Sequence, residues 1–251
     1  MLKTRVIPVV LYNGQIVVKS VQFDNWRNIG NPVNVVRVYN SREVDELVFL
    51  DVAATREQRR PDLDLLSQIA EQCFMPLTIG GGITSISDIR DVLMAGADKV
   101  CINSAAIDSF QIVRDGAAKF GNQCIVAALD AKKDSHGKYH VYRHSDRQIL
   151  EVDALERAIQ LEQAGAGELL LTSVDNDGRM EGYDYELIRA VSDVVSVPVI
   201  VAGGAGQLEH FSLALASGAS ALGAASIFHF TQHTPLEVKQ HLKSTGIPVR
   251  A

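Results

Sequence analysis

The chain has 251 residues, 47% of them apolar and 22% charged, which is ample for one large core. Its 24 Lys and Arg face 30 Asp and Glu for a net charge of -6, with no local basic cluster, and that excludes a basic nucleic-acid surface. No run approaches the roughly 20 apolar residues that span a bilayer, and the start MLKTRVIPVVLYNG has no cleavage signature, so no membrane role and a cytoplasmic location are expected.

Eight β-rich runs follow one another along the chain: RVIPVVL at 5-11, LVFLD at 47-51, PLTIG at 76-80, KVCIN at 99-103, CIVAALD at 124-130, ELLLT at 168-172, PVIVA at 198-202 and ALGAA at 221-225. Between them, stretches such as 62-72, 86-96, 154-165 and 208-218 carry apolar residues at helical spacing with Gly near several ends. Eight strand-helix units in this length predict a single (β/α)8 barrel domain over 1-251. Alternation alone also allows a doubly wound sheet; the strand count and an internal repeat favour closure. A shift of 122 residues sets LVFLD on LLLTS, MPLTIGGG on VPVIVAGG and AGADKVCINSA on SGASALGAASI, the mark of a duplicated half-barrel. A shift of 119 sets RVIPVVL on CIVAALD, which places Leu11 where the second half has Asp130. Two connections are long, 12-31 with its alternating IVVKSVQF and the polar, hairpin-like 131-150, and both follow strand C-termini, where barrel enzymes keep their chemistry.

The strand ends are rich in glycine and small residues. Gly81 and Gly82 with Asn103 and Ser104 form one candidate phosphate cradle; Gly203 and Gly204 with Ala225, Ser226, Asp177 and Gly178 form a second. Glycine lets backbone N–H groups approach an anion closely, although glycines at such junctions also serve simply as tight turns. On the phosphate reading, Gly82→Val or Gly204→Val should fill the approach path. Asp130 would point into the mouth between the cradles and could serve as general acid or base, or merely cap a helix or brace a loop. Asp51 is a weaker candidate of the same kind, and Lys19 could clamp a phosphate or be solvated.

Other groups read as non-catalytic. Cys73, Cys101 and Cys124 are widely spaced in apolar runs without a CxxC pair and are expected as buried thiols. His136, His140 and His144 recur every four residues, but on a strand that puts neighbours about 13 Å apart, so exposed hairpin histidines are expected, with no metal and no cofactor. Arg5, Glu46, Lys99 and Glu168 open strands 1, 2, 4 and 6, where they could form a charge ring across the floor or be ordinary surface charges.

Taken together, DELVFLD at 45-51, the block 80-106, QCIVAALDAK at 123-132, GAGELLLTSVDNDG at 165-178, GYDYELIRAV at 182-191 and the closing SIFHF make the chain resemble the cyclase subunit of imidazole glycerol phosphate synthase. That resemblance implies a half-barrel duplication, a bisphosphate substrate and a glutaminase partner in a heterodimer, with ammonia rising through a gate of four charges. The gate would be Arg5, Glu46, Lys99 and Glu168; Asp98 would face the glutaminase, and Lys19 matches a mobile-loop lysine. One departure weighs most: the family motif resembles PCLD at the end of strand 1, whereas this chain reads Ile7-Pro8-Val9-Val10-Leu11, which leaves Asp130 alone of two catalytic carboxylates. Ala202 also stands where the family usually has serine. Family members resembling the chain in this loss are associated with surface-polysaccharide synthesis, where ammonia goes to a sugar through a third protein, a sugar amidase. The expectation is therefore an ammonia-channelling barrel serving sugar amidation. The alternatives are an authentic cyclase of histidine biosynthesis and a non-catalytic scaffold that activates the glutaminase.

Overall fold

The computed structural model describes residues 3–42 and 44–250. Eight parallel strands close on themselves: β1 (Arg5–Tyr12), β4 (Leu47–Asp51), β5 (Leu77–Gly80), β6 (Lys99–Ile102), β7 (Ile125–Lys133), β10 (Glu168–Ser173), β11 (Val199–Ala202) and β12 (Ala221–Ala224). Pairing of β7 with β10 and of β12 with β1 shuts the cylinder, so the fold is a (β/α)8 barrel and not a doubly wound sheet. Every expected strand forms within a few residues of its sequence run.

Four further strands, β2 (Val17–Val21), β3 (Asp24–Gly30), β8 (Tyr139–Arg143) and β9 (Gln148–Asp153), fill the two long connections. The second connection holds more than one hairpin: β7 continues to Lys133, β8 turns back along it, and β9 pairs with β8 in turn. The helices are α1 (Pro32–Ser41), α2 (Leu63–Ala70), α3 (Ile86–Met94), α4 (Ser104–Asp108), α5 (Gln111–Phe120), α6 (Ala154–Gln163), α7 (Tyr185–Ser192), α8 (Leu208–Ala216), α9 (Ser226–Phe230) and α10 (Pro235–Ser244). Local chemistry starts them. Ser85 and Asp88 form a capping box at α3, Asp153 accepts from two N–H groups at α6, and Thr234 and Glu237 box the start of α10 behind Pro235.

Strand alternation divides the apolar residues into two layers. Val6 and Val10 of β1 face the helices, while Ile7 and Val9 join Val48, Val126, Leu170 and Ile200 inside the barrel. The same period carries Leu11 and Asp130 to the inner face at the C-terminal mouth.

The duplication is written in the registers. Leu11 pairs with Leu50 across β1 and β4, and Asp130 pairs with Thr172 across β7 and β10, positions that the 119 and 122 shifts superpose. The pairs Leu47–Leu77 and Leu169–Val199 match in the same way.

The two ends of the described chain are sewn together beside the floor. Thr4 N–H donates to Pro248 O at 2.9 Å and Arg250 N–H to Thr4 O at 3.3 Å. Asp45 accepts from Val6 N–H at 2.9 Å and from Lys239 Nζ of α10 at 3.0 Å, both well buried. Among the described residues, no helix is long and apolar enough to cross a membrane.

Candidate active site at the barrel mouth

A cavity of about 430 Å³ opens at the C-terminal ends of the strands. It is lined by every mouth residue singled out in the sequence: Gly81, Gly82, Asn103, Ser104, Asp130, Asp177, Gly178, Gly203, Gly204, Ala225 and Ser226, together with Leu11, Lys19, Asp51 and Ala202.

Asp130 is 7% exposed and sits at the centre of the polar contacts. Asn103 Nδ2 donates to its Oδ2 at 2.7 Å, and the Thr172 hydroxyl bonds the same carboxyl group. Burial pushes the Asp130 carboxyl up to about 6; these two hydrogen bonds restrain the rise, and the nearby Asp177 charge adds to it. A carboxyl poised there can hold or release a proton near neutrality. Cys101 lies buried beneath it, its thiol pushed up to about 12 by burial and by Asp130.

Opposite, the first half offers Leu11 and Leu50, both lining the cavity and neither able to carry a proton. Three other carboxylates line the cavity: Asp108 lies exposed at the rim, 3.7 Å from Arg143, and the two deeper ones are occupied. Asp177 takes both oxygens to Lys19 Nζ at 2.9 Å. Asp51 accepts from the N–H groups of Ala53 and Ala54 at 3.1 and 3.0 Å and binds Arg59 at 2.8 Å, so it braces its own loop.

Lys19 is therefore not solvated. It projects from β2, is 3% exposed, and ties the first hairpin to the loop after β10. The turn at Gln22 and Phe23 has both residues at positive φ, a conformation that favours glycine. It is held from across the mouth: Gln22 N–H donates to Asp177 O at 2.8 Å and Gln22 Nε2 to Asp175 O at 2.9 Å.

The histidines correct another expectation. His136 is exposed, but His140 is half-buried against Asp134 at 3.0 Å, and His144 is half-buried on the cavity wall. Phe23 stands edge-on to His144, with ring centres 5.2 Å apart, so one hairpin covers the other. Burial lowers the His144 imidazole, and Arg56 and Arg147 push in the same direction. Among the described residues, no three His, Cys, Asp or Glu are grouped to hold a metal. Cys101 is buried as expected; Cys73 and Cys124, nearer the helix ends, are only half-buried.

The glycines are needed by the fold itself. At Gly82 (φ +68°) a Cβ would fall on the carbonyl of Arg59, and at Gly204 (φ +111°) on that of Gly182. Valine there would break loop packing instead of simply blocking an approach path, so those substitutions cannot report on an anion.

At the opposite end, four charges alternate in a closed ring. Arg5 binds Glu46 at 2.6 Å and Glu168 at 2.8 Å; Lys99 binds Glu46 at 3.0 Å and Glu168 at 2.9 Å. Thr78 Oγ1 donates to Glu46 at 3.0 Å. Burial pushes the Glu168 carboxyl up, but Arg5 and Lys99 outweigh it and hold the group below its ordinary range. Asp98, exposed beside Lys99, accepts from Leu77 N–H at 2.8 Å.

Sequence reasoning passed over Thr172, Trp26 and Arg56 and expected His144 to be exposed, whereas all four are on the cavity wall. Thr172 was visible as the repeat partner of Leu50; Trp26 and His144 arrive through packing of the two hairpins, Arg56 comes from the loop after β4 and lies over Trp26, and none leaves a local signal.

The closed barrel, with a buried carboxyl at its mouth and an ion ring at its floor, has the architecture of the (β/α)8 barrels, whose enzymes keep their active sites at the C-terminal strand ends. The chain belongs to the family of histidine biosynthesis proteins, whose model matches residues 5–234, in the branch of HisF-type cyclase subunits of imidazole glycerol phosphate synthase. It is 50% identical over 250 residues to the imidazole glycerol phosphate synthase subunit HisF of Endomicrobium trichonymphae, covering 100% of this chain and 96% of that one. It is 49% identical over 251 residues to the subunit of the same name from Dehalococcoides mccartyi, covering 100% and 99%.

Proposed function

We propose that this chain is the ammonia-accepting barrel of a two-subunit glutamine amidotransferase, that its mouth binds a phosphorylated ligand, and that its ammonia serves amidation of a sugar for a surface polysaccharide. The observation that carries the reading is the contrast of Leu11–Leu50 with Asp130–Thr172 at equivalent places in the two halves. Ring closure in the family is understood to need an acid and a base. Asp130 supplies one; Asp51 and Asp177 are committed to Arg59 and Lys19, and Asp108 lies at the solvent-exposed rim beside Arg143, so no second carboxyl stands free inside the mouth.

The rest of the apparatus supports delivery without cyclisation. Arg5, Glu46, Lys99 and Glu168 would gate neutral ammonia at the floor, since an alternating ring offers an ion no net charge to exchange with. Asp98 would contact the glutaminase. Gly81, Gly82, Asn103 and Ser104 would hold one phosphate, and Asp177, Gly178, Gly203, Gly204, Ala225 and Ser226 the other, with Lys19 closing over the second; Asn103 has the double duty of orienting Asp130. No cofactor enters this scheme. A sugar amidase would use the ammonia.

The two relatives favour a second reading, an authentic cyclase, because both carry the synthase name at about half identity over essentially the whole chain. Complementation separates the readings. Expressed with its glutaminase, the chain should fail to rescue a histidine auxotroph lacking the cyclase subunit; vigorous growth would establish the cyclase reading instead.

A further inference from the structure

Behind the mouth lies a buried cation. Arg157 in α6 is 9% exposed, and among the described residues no carboxylate forms an ion pair with it; its neighbour Glu156 faces solvent. Its Nη1 donates to the carbonyls of Ala106 and Ile107 at 3.1 and 3.2 Å, and its Cζ stacks 4.8 Å from the Phe110 ring centre. Its Nε–H is buried and has no partner among the described residues. A buried donor without a partner is costly, and a buried charge more so, which points to a group that this side chain serves.

That group is within reach. A second, small cavity of about 10 Å³ is walled by apolar residues and by three polar ones, Arg157, Asn103 and Asp130. This is the size of one water molecule, and the polar lining offers the two to four partners that a buried water requires. The carbonyls that Arg157 holds belong to α4, whose preceding residue is Asn103, the donor to Asp130.

We propose that Arg157 is a positioning residue for Asp130. One ordered water accepts from Arg157 Nε–H and donates to the Asp130 carboxylate, while Nη1 fixes α4 so that Asn103 stays on the same carboxylate. The groups facing Asp130 from other elements are Thr172 on β10, Asp177 beyond it, Cys101 on β6 and Tyr142 on β8, and none is cationic. Of the cations on the mouth cavity, Lys19 is bound by Asp177 and Arg56 lies over the Trp26 ring. Arg157 is thus the positive charge that favours the ionised form of Asp130 from behind. The inference deepens the reading of Asp130 as the acting acid, but its test measures titration and water, which report on Arg157 whether or not that reading stands.

The experiment is a carbon-13 NMR titration of the Asp130 carboxyl in the full chain, assigned with Asp130→Asn. Arg157→Gln removes the charge while its amide still donates to the carbonyls, and it should raise the Asp130 midpoint by about one pH unit. Arg157→Lys restores a cation and should return the midpoint most of the way. An unchanged midpoint in folded Arg157→Gln overturns the proposal. Should that variant not fold, high-resolution diffraction from the unaltered protein decides: water density bridging Arg157 Nε and Asp130 supports the assignment, and a dry cavity overturns it.

Discussion

The two halves of this barrel share one strand register and differ in what they place at its ends. At the mouth, the second half pairs Asp130 with Thr172 where the first pairs Leu11 with Leu50. At the floor, the repeat carries Glu46 onto Glu168, yet the cations between them have no such kinship, because Arg5 falls on Cys124 and Lys99 on Ala221. Backbone symmetry is thus kept along the strands, while the charged and polar groups at the strand ends are one-sided.

The sharpest way to break the asymmetry is to rebuild the acid in the first half. Leu11→Asp with Leu50→Thr copies the Asp130–Thr172 pair onto the equivalent register, whereas Leu11→Asp alone lacks the hydroxyl that restrains its partner. With ammonia as nitrogen source, the double variant should gain about 10²–10⁴-fold in cyclisation over a nearly silent parent, or roughly 3–5 kcal/mol of barrier. A steady-state assay of imidazole glycerol phosphate formation measures it; fast turnover by the parent would remove the reason for the repair.

The floor gives the next effect. Lys99→Met leaves Glu46, itself buried, with Arg5 as its one remaining cation beside the Thr78 hydroxyl, and strips Glu168 of one of its two cations. A loss of about 3 kcal/mol in urea unfolding is expected, at the lower end for a broken buried pair because the lysine is partly accessible. A change under 1 kcal/mol would mean that solvent already screens the ring.

A pH series compares the dry leucine site with its charged counterpart. Because the folded Asp130 carboxyl is raised to about 6 from an ordinary 3.8, the folded state binds the proton more tightly than the unfolded chain. That contribution is fully present below pH 4 and is lost as pH rises through 6. Asp130→Asn should therefore stabilise the protein by about 3 kcal/mol at pH 8 and change little at pH 4, as read by denaturant midpoints. Equal effects at both pH values would refute a buried, ionising acid.

The smallest expected effect concerns the cradles. Ser104→Asp and Ser226→Asp each set a carboxylate beside one of the two candidate phosphate positions without touching a strained glycine. Each should weaken inorganic phosphate binding at its own half by about tenfold, roughly 1.4 kcal/mol, in calorimetry. If neither changes the titration, the cradles do not hold phosphate.

Strands, repeat and mouth could be read in the amino-acid order because each obeys a local rule: alternation for Ile7, Val9 and Leu11, a fixed shift for Asp130 and Thr172, glycine at the turns. What could not be read arises from contacts across the barrel. Lys19 looked equally fit for solvent until β2 set it against Asp177, 158 positions away. His144 looked exposed because nothing near it in the chain announces Phe23. Arg157 is a plain helix residue by pattern, and its burial follows only from how α6 packs beside α4.

The stitching of Thr4 to Pro248 and Arg250, described above, bears on connectivity. With Thr4 held against Pro248 and Arg250, a short peptide could join the chain at that spot, and the break could move to Gly121, between the halves, where α5 ends at a positive-φ turn. Such a circular permutant would present the second half first and the first half last, with the same pairings around the cylinder. In this molecule the order in which a ribosome delivers the two halves is therefore separable from the order in which they stand around the barrel.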